Sequence, residues 1–530
     1  MTAPTDTLPS FELDDSAGTT HVFPSGKKTL LCFVKEDCPT CDMSMPLIEQ
    51  VHRAYGESID VLAVGQDTPG NAILVERHGL SMPMLDDDAL GVSFRYDLDT
   101  VPTVILADES GAELRRFIGF GREDWRSLVA ELAGLTALDE ADVDWGTYPD
   151  SRPGCGSRSV EPGIAERLQA ESEGSPLRAR RIDIATHDDE AEFLFDQGLT
   201  DGLPVVPPTP ARVLRMLAGT KRDAQEEVAI VPPNLAPCTV EKIAINAVMA
   251  GCRPEYLPVV IASVEAACND EFNAHGVMAT TMGASPGIIV NGPIRHRIGM
   301  NMQLGALGQG NRANASIGRA LRLILRNVGG ARPGGTERST LGNPMKFTMC
   351  YAEYEEASDW KPLHVERGFE PEDNVVTLYA FTGGPSYVID QQSRTARAVA
   401  GSMAARLGAT WHPSTRPLGD TMLVVCPEHL GTIRAEGWTK DDLRQHIFEA
   451  SSKPLREVLA GEDGAGVPPQ AFGPNGPSEE QLNEKLPKFV GPEYIHITVA
   501  GSGAGMFSAM FEGWAFGSIG SQPVSRKITD

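Results

Sequence analysis

The chain has 530 residues, 41% of them hydrophobic and 22% charged, which is the composition of a globular protein of roughly two to four domains. A net charge of −26 and an isoelectric point near 4.9 argue against nucleic acid and anionic membrane surfaces as partners. No stretch approaches the ~20 apolar residues that span a bilayer, and the N-terminus lacks the basic and apolar regions of a signal peptide. We therefore expect a cytoplasmic protein, and nine irregularly spaced cysteines fit its reducing environment.

The most informative motif is Cys38-Pro39-Thr40-Cys41, which follows an apolar run at residues 29–34 that predicts a buried strand. The unpaired N–H groups and partial positive charge of a helix N-terminus favour the thiolate of Cys38. Cys41, one turn further along, is placed to resolve a mixed disulfide. The motif therefore predicts a dithiol redox site, with a zinc half-site or an inert pair as the alternative.

Hydrophobic periodicity predicts further elements around this motif: a helix at residues 42–55, a strand at 59–64, a helix at 71–78, a strand at 104–107 and a helix at 123–135. With the C-P-T-C motif and the segment Val101-Pro102-Thr103, residues 8–136 resemble the thioredoxin fold, in particular the TlpA-type thiol–disulfide reductases of the redoxin branch. This resemblance implies a cis peptide bond at Pro102 opposite the dithiol. It also implies catalysis by Cys38, Cys41 and Pro102 without a cofactor.

One position departs from the pattern of that family. Asp37, preceded by Glu36, stands where the family usually has tryptophan before the first cysteine. Two carboxylates beside a thiolate disfavour its negative charge. We therefore expect a raised pKa for Cys38 and a lower reactivity than that of a general-purpose thioredoxin.

A change in composition marks the end of the first domain. Residues 138–192 are rich in Asp, Glu, Ser, Pro, Gly and Arg, and we interpret them as a linker between a thioredoxin-like domain at 1–137 and a large α/β domain at 193–530. Cys155 lies between two glycines in this linker. It is either a mobile thiol that carries reducing equivalents between the domains or an incidental exposed cysteine.

Helices and strands alternate in the large domain, which predicts a largely parallel or mixed sheet covered on both faces. Two segments that begin at Ala262 and Ala400 each combine a helix of small residues with a following strand, and their offset of about 135 to 138 residues suggests an internal duplication. The domain resembles a bacterial family of unknown activity, so the resemblance assigns no roles. The predicted helices are 210–217, 240–249, 258–267, 316–327, 394–407 and 440–450, and the predicted strands are 287–291, 375–381, 422–426 and 494–500.

Ligands in open α/β sheets collect at the carboxyl ends of strands. Gly501, Gly503 and Gly505 follow a predicted strand, so their backbone amides are candidates to bind an anionic substrate. Arg312 and Asn314, near the start of a predicted helix, form a second candidate anion site. Turns in which the backbone needs glycine are the alternative. The same rule points to Asn291, Gly292, Cys426 and His429 at other strand ends.

The large domain also offers a candidate thiol and a candidate metal site. Cys238 precedes a predicted helix, and a helix N-terminus lowers a thiol pKa, so we expect it to be the second reactive cysteine. Glu353, Glu356 and His364 combine carboxylates with an imidazole and are candidate ligands of a divalent metal. No paired histidine spacing fixes their geometry, and a solvated acidic loop is the alternative.

These features favour an enzyme in which the dithiol delivers reducing equivalents to the fused domain, which acts on a small substrate through Cys238. One alternative is a metal- or thiol-dependent lyase or hydrolase that the dithiol protects from oxidation. Another is a disulfide reductase whose large domain binds oxidised protein clients. The expected partners are a small-molecule substrate or a thiol reductant, and we expect a homo-oligomer.

Overall fold

The computed structural model describes residues 7–161, 164–182, 184, 189–410, 419–462, 464–516 and 518–529. The chain divides into two compact units, Met1–Ile182 and Asp183–Asp530. The fold is mixed α/β throughout, with a thioredoxin-like sheet in the first unit and further mixed sheets in the second. In the described part of the chain, no helix has the length and apolar character needed to cross a membrane.

Within its described residues, the first unit contains eleven strands, several of them very short, and five α-helices. The strands are β1 (Phe11–Asp14), β2 (Thr20–Phe23), β3 (Thr29–Val34), β4 (Asp60–Gly65), β5 (Met84–Asp86), β6 (Thr100–Val101), β7 (Thr103–Ala107), β8 (Glu113–Ile118), β9 (Phe120–Gly121), β10 (Ser151–Arg152) and β11 (Cys155–Gly156). The helices are α1 (Pro39–Tyr55), α2 (Thr68–His78), α3 (Gly91–Arg95), α4 (Arg122–Thr136) and α5 (Ile164–Ser172).

Strand β3 lies at the centre of a five-stranded sheet with the order β5-β4-β3-β7-β8. It runs parallel to β4 and antiparallel to β7, and all its residues are buried, as its uninterrupted apolar sequence predicts. Ile48 of α1 and Leu128 of α4 belong to the same hydrophobic core as this strand. Because the chain passes from the end of β3 into α1, the dithiol lies at the carboxyl end of the central strand.

The segment after α4 differs from the predicted linker. Residues 138–182 belong to the first unit, and β10 and β11 pair with β9 and β6. The Gly- and Pro-rich composition therefore serves close packing rather than a free connection: a Cβ on Gly154 would lie 2.5 Å from the Val101 carbonyl oxygen. Compositional bias toward small and turn-forming residues does not distinguish these two uses.

The second unit contains the remaining elements of the described chain. Its helices are α6 (Glu190–Asp196), α7 (Pro210–Leu217), α8 (Val240–Ala250), α9 (Leu257–Ala267), α10 (Ala274–Ala279), α11 (Ile294–Arg297), α12 (Arg312–Asn327), α13 (Leu363–Glu366), α14 (Ala396–Thr410), α15 (Pro427–Arg434), α16 (Lys440–Ser451), α17 (Leu455–Val458) and α18 (Glu479–Asn483). Its strands are β12 (Glu227–Val231), β13 (Ala236–Thr239), β14 (Ser285–Asn291), β15 (Cys350–Ala352), β16 (Val375–Phe381), β17 (Gly383–Ile389), β18 (Thr421–Val425), β19 (Lys453–Pro454), β20 (Lys485–Leu486), β21 (Ile495–Val499), β22 (Phe507–Glu512), β23 (Ala515–Phe516), β24 (Ile519–Gly520) and β25 (Val524–Lys527).

Two four-stranded sheets pack against each other in this unit. Their orders are β15-β14-β16-β25 and β21-β18-β22-β17. Phe381 of the first sheet and Phe511 of the second share one hydrophobic cluster, with ring centroids 5.0 Å apart. Helices α9 and α12 contact the first sheet, and α14 and α16 contact the second. Each sheet is therefore mixed and covered on both faces, as predicted, but helices cover only one of these faces and the other sheet covers the second.

Both sheets have the same succession of strand directions. In each, a parallel pair (β14 with β15, β18 with β21) is followed by two antiparallel pairs. A helix, α9 or α14, also precedes the corresponding strand, β14 or β18. An internal duplication would produce this shared pattern, so the arrangement supports that prediction.

Candidate functional site

The dithiol is positioned by the transition from β3 to α1. Cys38 is the N-cap of α1 in extended conformation, and Pro39 occupies the first helical turn, where its missing N–H costs nothing. The Cys41 N–H donates a hydrogen bond to Cys38 Sγ at 3.3 Å. One unpaired donor of the helix N-terminus is thereby directed at the sulfur, as expected from the motif.

The two thiols of the motif have opposite ionisation preferences. A hydrogen bond from the Cys41 thiol is the largest cause that lowers the pKa of Cys38 to about 5, and it outweighs the opposing effect of burial. A hydrogen bond from the Cys155 thiol and the N–H groups of Cys41 and Thr40 lower it further. Burial, together with the neighbouring Cys38 sulfur, raises the pKa of Cys41. One cysteine is therefore a thiolate while the other keeps its proton.

The expected increase in the pKa of Cys38 is wrong. The two acidic side chains before it are neutralised by other partners: Glu36 pairs with Arg77 at 2.7 Å, and Asp37 pairs with Lys35 at 3.2 Å. Their charges are thus compensated, whereas the hydrogen-bond donors act directly on the sulfur.

Pro102 follows Val101, the residue that contacts the dithiol. The Val101–Pro102 peptide bond is cis, as the resemblance implied, and the Val101 carbonyl oxygen lies 3.5 Å from Cys38 Sγ. Both cysteines of the motif are fully buried. The structure therefore brings Cys38, Cys41 and Pro102 together at one place.

A segment that the sequence placed in a linker completes this site. We call residues 151–157 the strap. In it, Cys155 pairs with Val101 through β11 and β6, and its thiol is one of the groups that lower the pKa of Cys38. The adjoining Cys38 sulfur, followed by burial, raises the pKa of Cys155. The two flanking glycines were the signal for a close approach, but nothing local in the sequence indicated which part of the chain the strap approaches.

The fold and this dithiol define the first unit as a thioredoxin-like domain. Residues 4–112 match the AhpC/TSA family, and the chain belongs to that family through this domain. Over 117 residues it is 30% identical to the thiol-disulfide oxidoreductase ResA of Geobacillus kaustophilus, a match that covers 21% of this chain and 67% of ResA.

Two further similarities concern the same part of the chain. ResA of Halalkalibacterium halodurans is 35% identical over 89 residues, which is 16% of this chain, so the chain spans about half (51%) of the length of that relative. Among solved structures, StoA from Bacillus subtilis is 22% identical, with 23% of this chain and 99% of StoA covered and a TM-score of 0.21.

The prediction that Cys238 is reactive assumed that a helix N-terminus lowers the pKa of its thiol, and this assumption is wrong. Cys238 is a fully buried residue of β13, and the N-cap of α8 is the next residue, Thr239, whose side chain accepts a hydrogen bond from the Lys242 N–H. Burial raises the pKa of Cys238 to about 12. A protonated thiol without solvent access is a core residue rather than a nucleophile.

The predicted metal ligands have other partners. Glu353 accepts hydrogen bonds from Asn291 and from the Leu363 N–H, each at 2.8 Å. Glu356 pairs with Arg295 and with a neighbouring histidine, which together lower its pKa to about 2 although burial opposes this. His364 is buried and lies 3.4 Å from the Pro371 carbonyl oxygen. Among the described residues no three His, Cys, Asp or Glu side chains are arranged to hold a metal ion, so the structure does not bring these three residues together, and a bound metal stays a prediction.

The glycine-rich loop follows β21 as predicted, but it offers little to an anion. The Gly501 N–H donates to the Met302 carbonyl and the Gly505 N–H to Glu428 Oε1, each at 3.0 Å. Gly503, between them, has open space on its Cα. Gly501 lines a cavity of about 260 Å³, whose described lining contains no cationic side chain.

Arg312 and Asn314 have separate roles at the start of α12. Asn314 bonds to the backbone of Asn301 and Ala306 and so holds a loop in place. Arg312 instead lines a cavity of about 230 Å³ with three arginines that the sequence did not indicate. We call it the arginine cavity, and its cationic lining is Arg212, Arg215, Arg253 and Arg312.

The second unit contains one cysteine that differs from its other thiols. Cys426, the N-cap of α15, has a lowered pKa because a hydrogen bond from His429 and the charge of its imidazole outweigh burial. His429 Nδ1 lies 2.8 Å from Ser508 Oγ, and its Nε2 lies 3.0 Å from the Asp390 carbonyl oxygen. The sequence placed Cys426 and His429 at a strand end without assigning them this interaction.

Proposed function

We propose that the first unit is a thiol–disulfide oxidoreductase. The Cys38 thiolate attacks one sulfur of a substrate disulfide, the substrate S–S bond breaks, and the second substrate sulfur leaves as a thiolate. Cys41 then gives up its proton and attacks Cys38, which releases the first substrate sulfur and leaves a Cys38–Cys41 disulfide. The observation that carries this proposal is the contrast between an ionised Cys38 with a pKa of about 5 and a protonated Cys41.

Reduction of oxidised glutathione by the reduced full-length protein tests this proposal. Cys38→Ser should abolish the release of reduced glutathione, and Cys41→Ser should leave Cys38 held in a disulfide because the thiol that resolves it is missing. Cys268→Ser, a partly exposed cysteine of the second unit, is the control and should leave the rate unchanged. Full activity in Cys38→Ser would refute the assignment.

A second function is favoured by the arginine cavity. Its four guanidinium groups have no carboxylate partner within the described chain, although the protein carries a net charge of −26. Arg312 uses its Nε to hold the Gly251 carbonyl at 2.8 Å, which leaves its terminal nitrogens available. Guanidinium groups bind carboxylates and phosphates in bidentate fashion. The second unit therefore binds a small substrate with more than one negative charge in this cavity.

Thermal unfolding with added citrate or pyrophosphate tests the binding. Either anion should raise the unfolding temperature of the second unit more than chloride at equal ionic strength, because ligand that binds only the folded state stabilises it. Arg215→Gln and Arg312→Gln should reduce this increase. Arg394→Gln, an exposed arginine that bonds only to carbonyls of its own turn, is the control. Equal stabilisation of all variants would exclude the cavity.

The remaining part of the proposal is that the dithiol reduces a disulfide which a cysteine of the second unit has formed with its substrate. Cys426 replaces Cys238 as that thiol, because Cys38 and Cys426 are the two cysteines whose pKa is lowered. A Cys38–Cys426 disulfide in mildly oxidised Cys41→Ser, located by peptide mapping, would support this transfer, whereas intermolecular adducts alone would favour simple binding of clients.

A further inference from the structure

The dithiol is inaccessible from solvent in the described structure. Cys38 and Cys41 both have 0% exposed surface, whereas Cys155 is partly exposed. Thiol–disulfide exchange needs direct contact between an attacking sulfur and a disulfide sulfur. A substrate in solution therefore meets Cys155 before it meets either cysteine of the motif.

The strap that carries Cys155 is fixed at several points along its length. Its first strand, β10, pairs with β9, and its second, β11, pairs with β6. Between them, the Thr40 hydroxyl donates a hydrogen bond to the Pro153 carbonyl at 2.7 Å. At its end, Gln66 donates to the Ser157 hydroxyl at 2.7 Å. These contacts hold Cys155 in one position rather than leaving it mobile.

Gly154 determines how closely the strap approaches. A Cβ at this position would lie 2.5 Å from both Thr100 Cγ2 and the Val101 carbonyl oxygen, which no other residue type tolerates without displacement. The register that results places Cys155 opposite Val101, the residue whose carbonyl lies next to Cys38 Sγ. Packing and strand pairing thus place the third thiol beside the residue that contacts the reactive sulfur.

We propose that Cys155 is a third catalytic cysteine, which exchanges a disulfide with Cys38 and connects the buried dithiol with solution. The inference rests on the proposed oxidoreductase function of the dithiol. In the oxidised protein, Cys155 loses its proton and attacks Cys38 Sγ, the Cys38–Cys41 bond breaks, and Cys41 leaves and takes up a proton. A Cys38–Cys155 disulfide forms without net oxidation or reduction. An external thiol then attacks the exposed Cys155 sulfur, forms a mixed disulfide with it and releases Cys38, and a second external thiol releases Cys155.

The reverse sequence serves reduction of a small disulfide. Cys155 forms a mixed disulfide with the substrate and releases one substrate thiolate. Cys38 then attacks the Cys155 sulfur, a Cys38–Cys155 bond forms, and the second substrate thiolate leaves. Cys41 then attacks Cys38, which returns Cys155 to the thiol and leaves the oxidised dithiol. Two electrons pass from the protein to one substrate disulfide in total.

Peptide mapping of full-length Cys41→Ser after treatment with oxidised glutathione tests this proposal. Trypsin leaves Cys38 and position 41 in one peptide, residues 36–53, while Cys155 lies in a separate peptide that ends at Arg158. A Cys38–Cys155 disulfide therefore links two peptides, whereas a Cys38–Cys41 disulfide stays within one. We expect the linked pair in Cys41→Ser, its loss in Cys41→Ser/Cys155→Ser, and its retention in Cys41→Ser/Cys268→Ser.

The wild-type protein, mapped in the same way, distinguishes failure of the role of Cys155 from failure of the oxidoreductase function. If Cys41→Ser yields only glutathione adducts or intermolecular dimers while the wild type forms Cys38–Cys41, the role of Cys155 is refuted and the oxidoreductase function stands. If the wild type forms no disulfide within residues 36–53, the proposed function itself fails.

Two substitutions at Cys155 distinguish disulfide exchange by this thiol from its effect on the pKa of Cys38. Serine retains a donor to Cys38, so Cys155→Ser should keep the low pKa of Cys38 and lose only the linked peptides. Cys155→Ala lacks that donor and should also raise the pKa of Cys38, measured by thiolate absorbance. Unchanged turnover of oxidised glutathione in folded Cys155→Ser would overturn the proposal.

Discussion

Cys38 is charged at neutral pH because hydrogen-bond donors converge on its sulfur. We predict that its alkylation rate rises about tenfold per pH unit up to pH 5 and is constant near neutral pH, since the thiolate is the reacting form and its pKa is about 5. Iodoacetamide labelling of the reduced protein at several pH values, read out by mass spectrometry of residues 36–53, measures this profile. A midpoint near that of an ordinary cysteine would contradict the hydrogen-bond arrangement.

Cys426 depends on His429 for its ionisation. We predict that His429→Ala raises the pKa of Cys426, because the imidazole is what outweighs the burial of the thiol. The pH dependence of Cys426 alkylation, followed by peptide mass spectrometry, checks this prediction. His446→Ala is the control, because that histidine packs on Trp438. If both variants behave alike, the contact between Cys426 and His429 has no electrostatic effect.

The residues of the dithiol could be identified from the sequence because their signal is local. Cys38 and Cys41 lie in one motif between a strand and a helix, and the cis bond at Pro102 followed from the resemblance. The assignment of Cys238 failed because one residue of register decides whether a thiol caps a helix or points into a core. The role of Cys155 depends on a contact between distant parts of the chain, which no local pattern encodes.

At the scale of elements, the close packing of the strap depends on Gly154, which has no side chain. We predict that Gly154→Ala lowers the free energy of unfolding of the first unit by roughly 1–3 kcal/mol, because the added Cβ overlaps the Val101 carbonyl and Thr100. The same change should expose Cys38 to faster alkylation. Gly156→Ala is a matched control, since a Cβ there meets nothing within 4 Å. Equal stability of the two variants, measured by urea unfolding, would mean that the strap packs elsewhere.

The bounds of helices with one buried face and of fully buried strands were predicted well. The predicted helix 210–217 and strand 375–381 coincide with α7 and β16, and 440–450 ends within one residue of α16. The packing of two sheets on each other was not predicted, because a fully buried strand such as β16 fits equally between helices and against another sheet. Short strands such as β10 and β11 have no periodicity to detect.

At the scale of the whole molecule, the boundary of the first unit determines whether the strap is present. We predict that a fragment of residues 1–182 folds and retains the low pKa of Cys38, because the strand pairings of the strap lie within this unit. A fragment of residues 1–137 should fold less stably and alkylate faster at Cys38. Circular dichroism and iodoacetamide labelling of both fragments measure these effects, and identical behaviour would show that the strap is dispensable.

The strap also has a consequence for which molecules the dithiol can serve. Because the strap is tethered beside Cys38, it competes with substrates for the position along Val101 at an effective concentration on the order of millimolar. A folded protein client that needs to lie along Val101 as an extended chain must displace this built-in competitor and the contacts of Thr40 and Gln66. A compact disulfide needs to reach only the exposed sulfur of Cys155. The strap thus hinders large protein clients and favours low-molecular-weight substrates without any specific recognition of them.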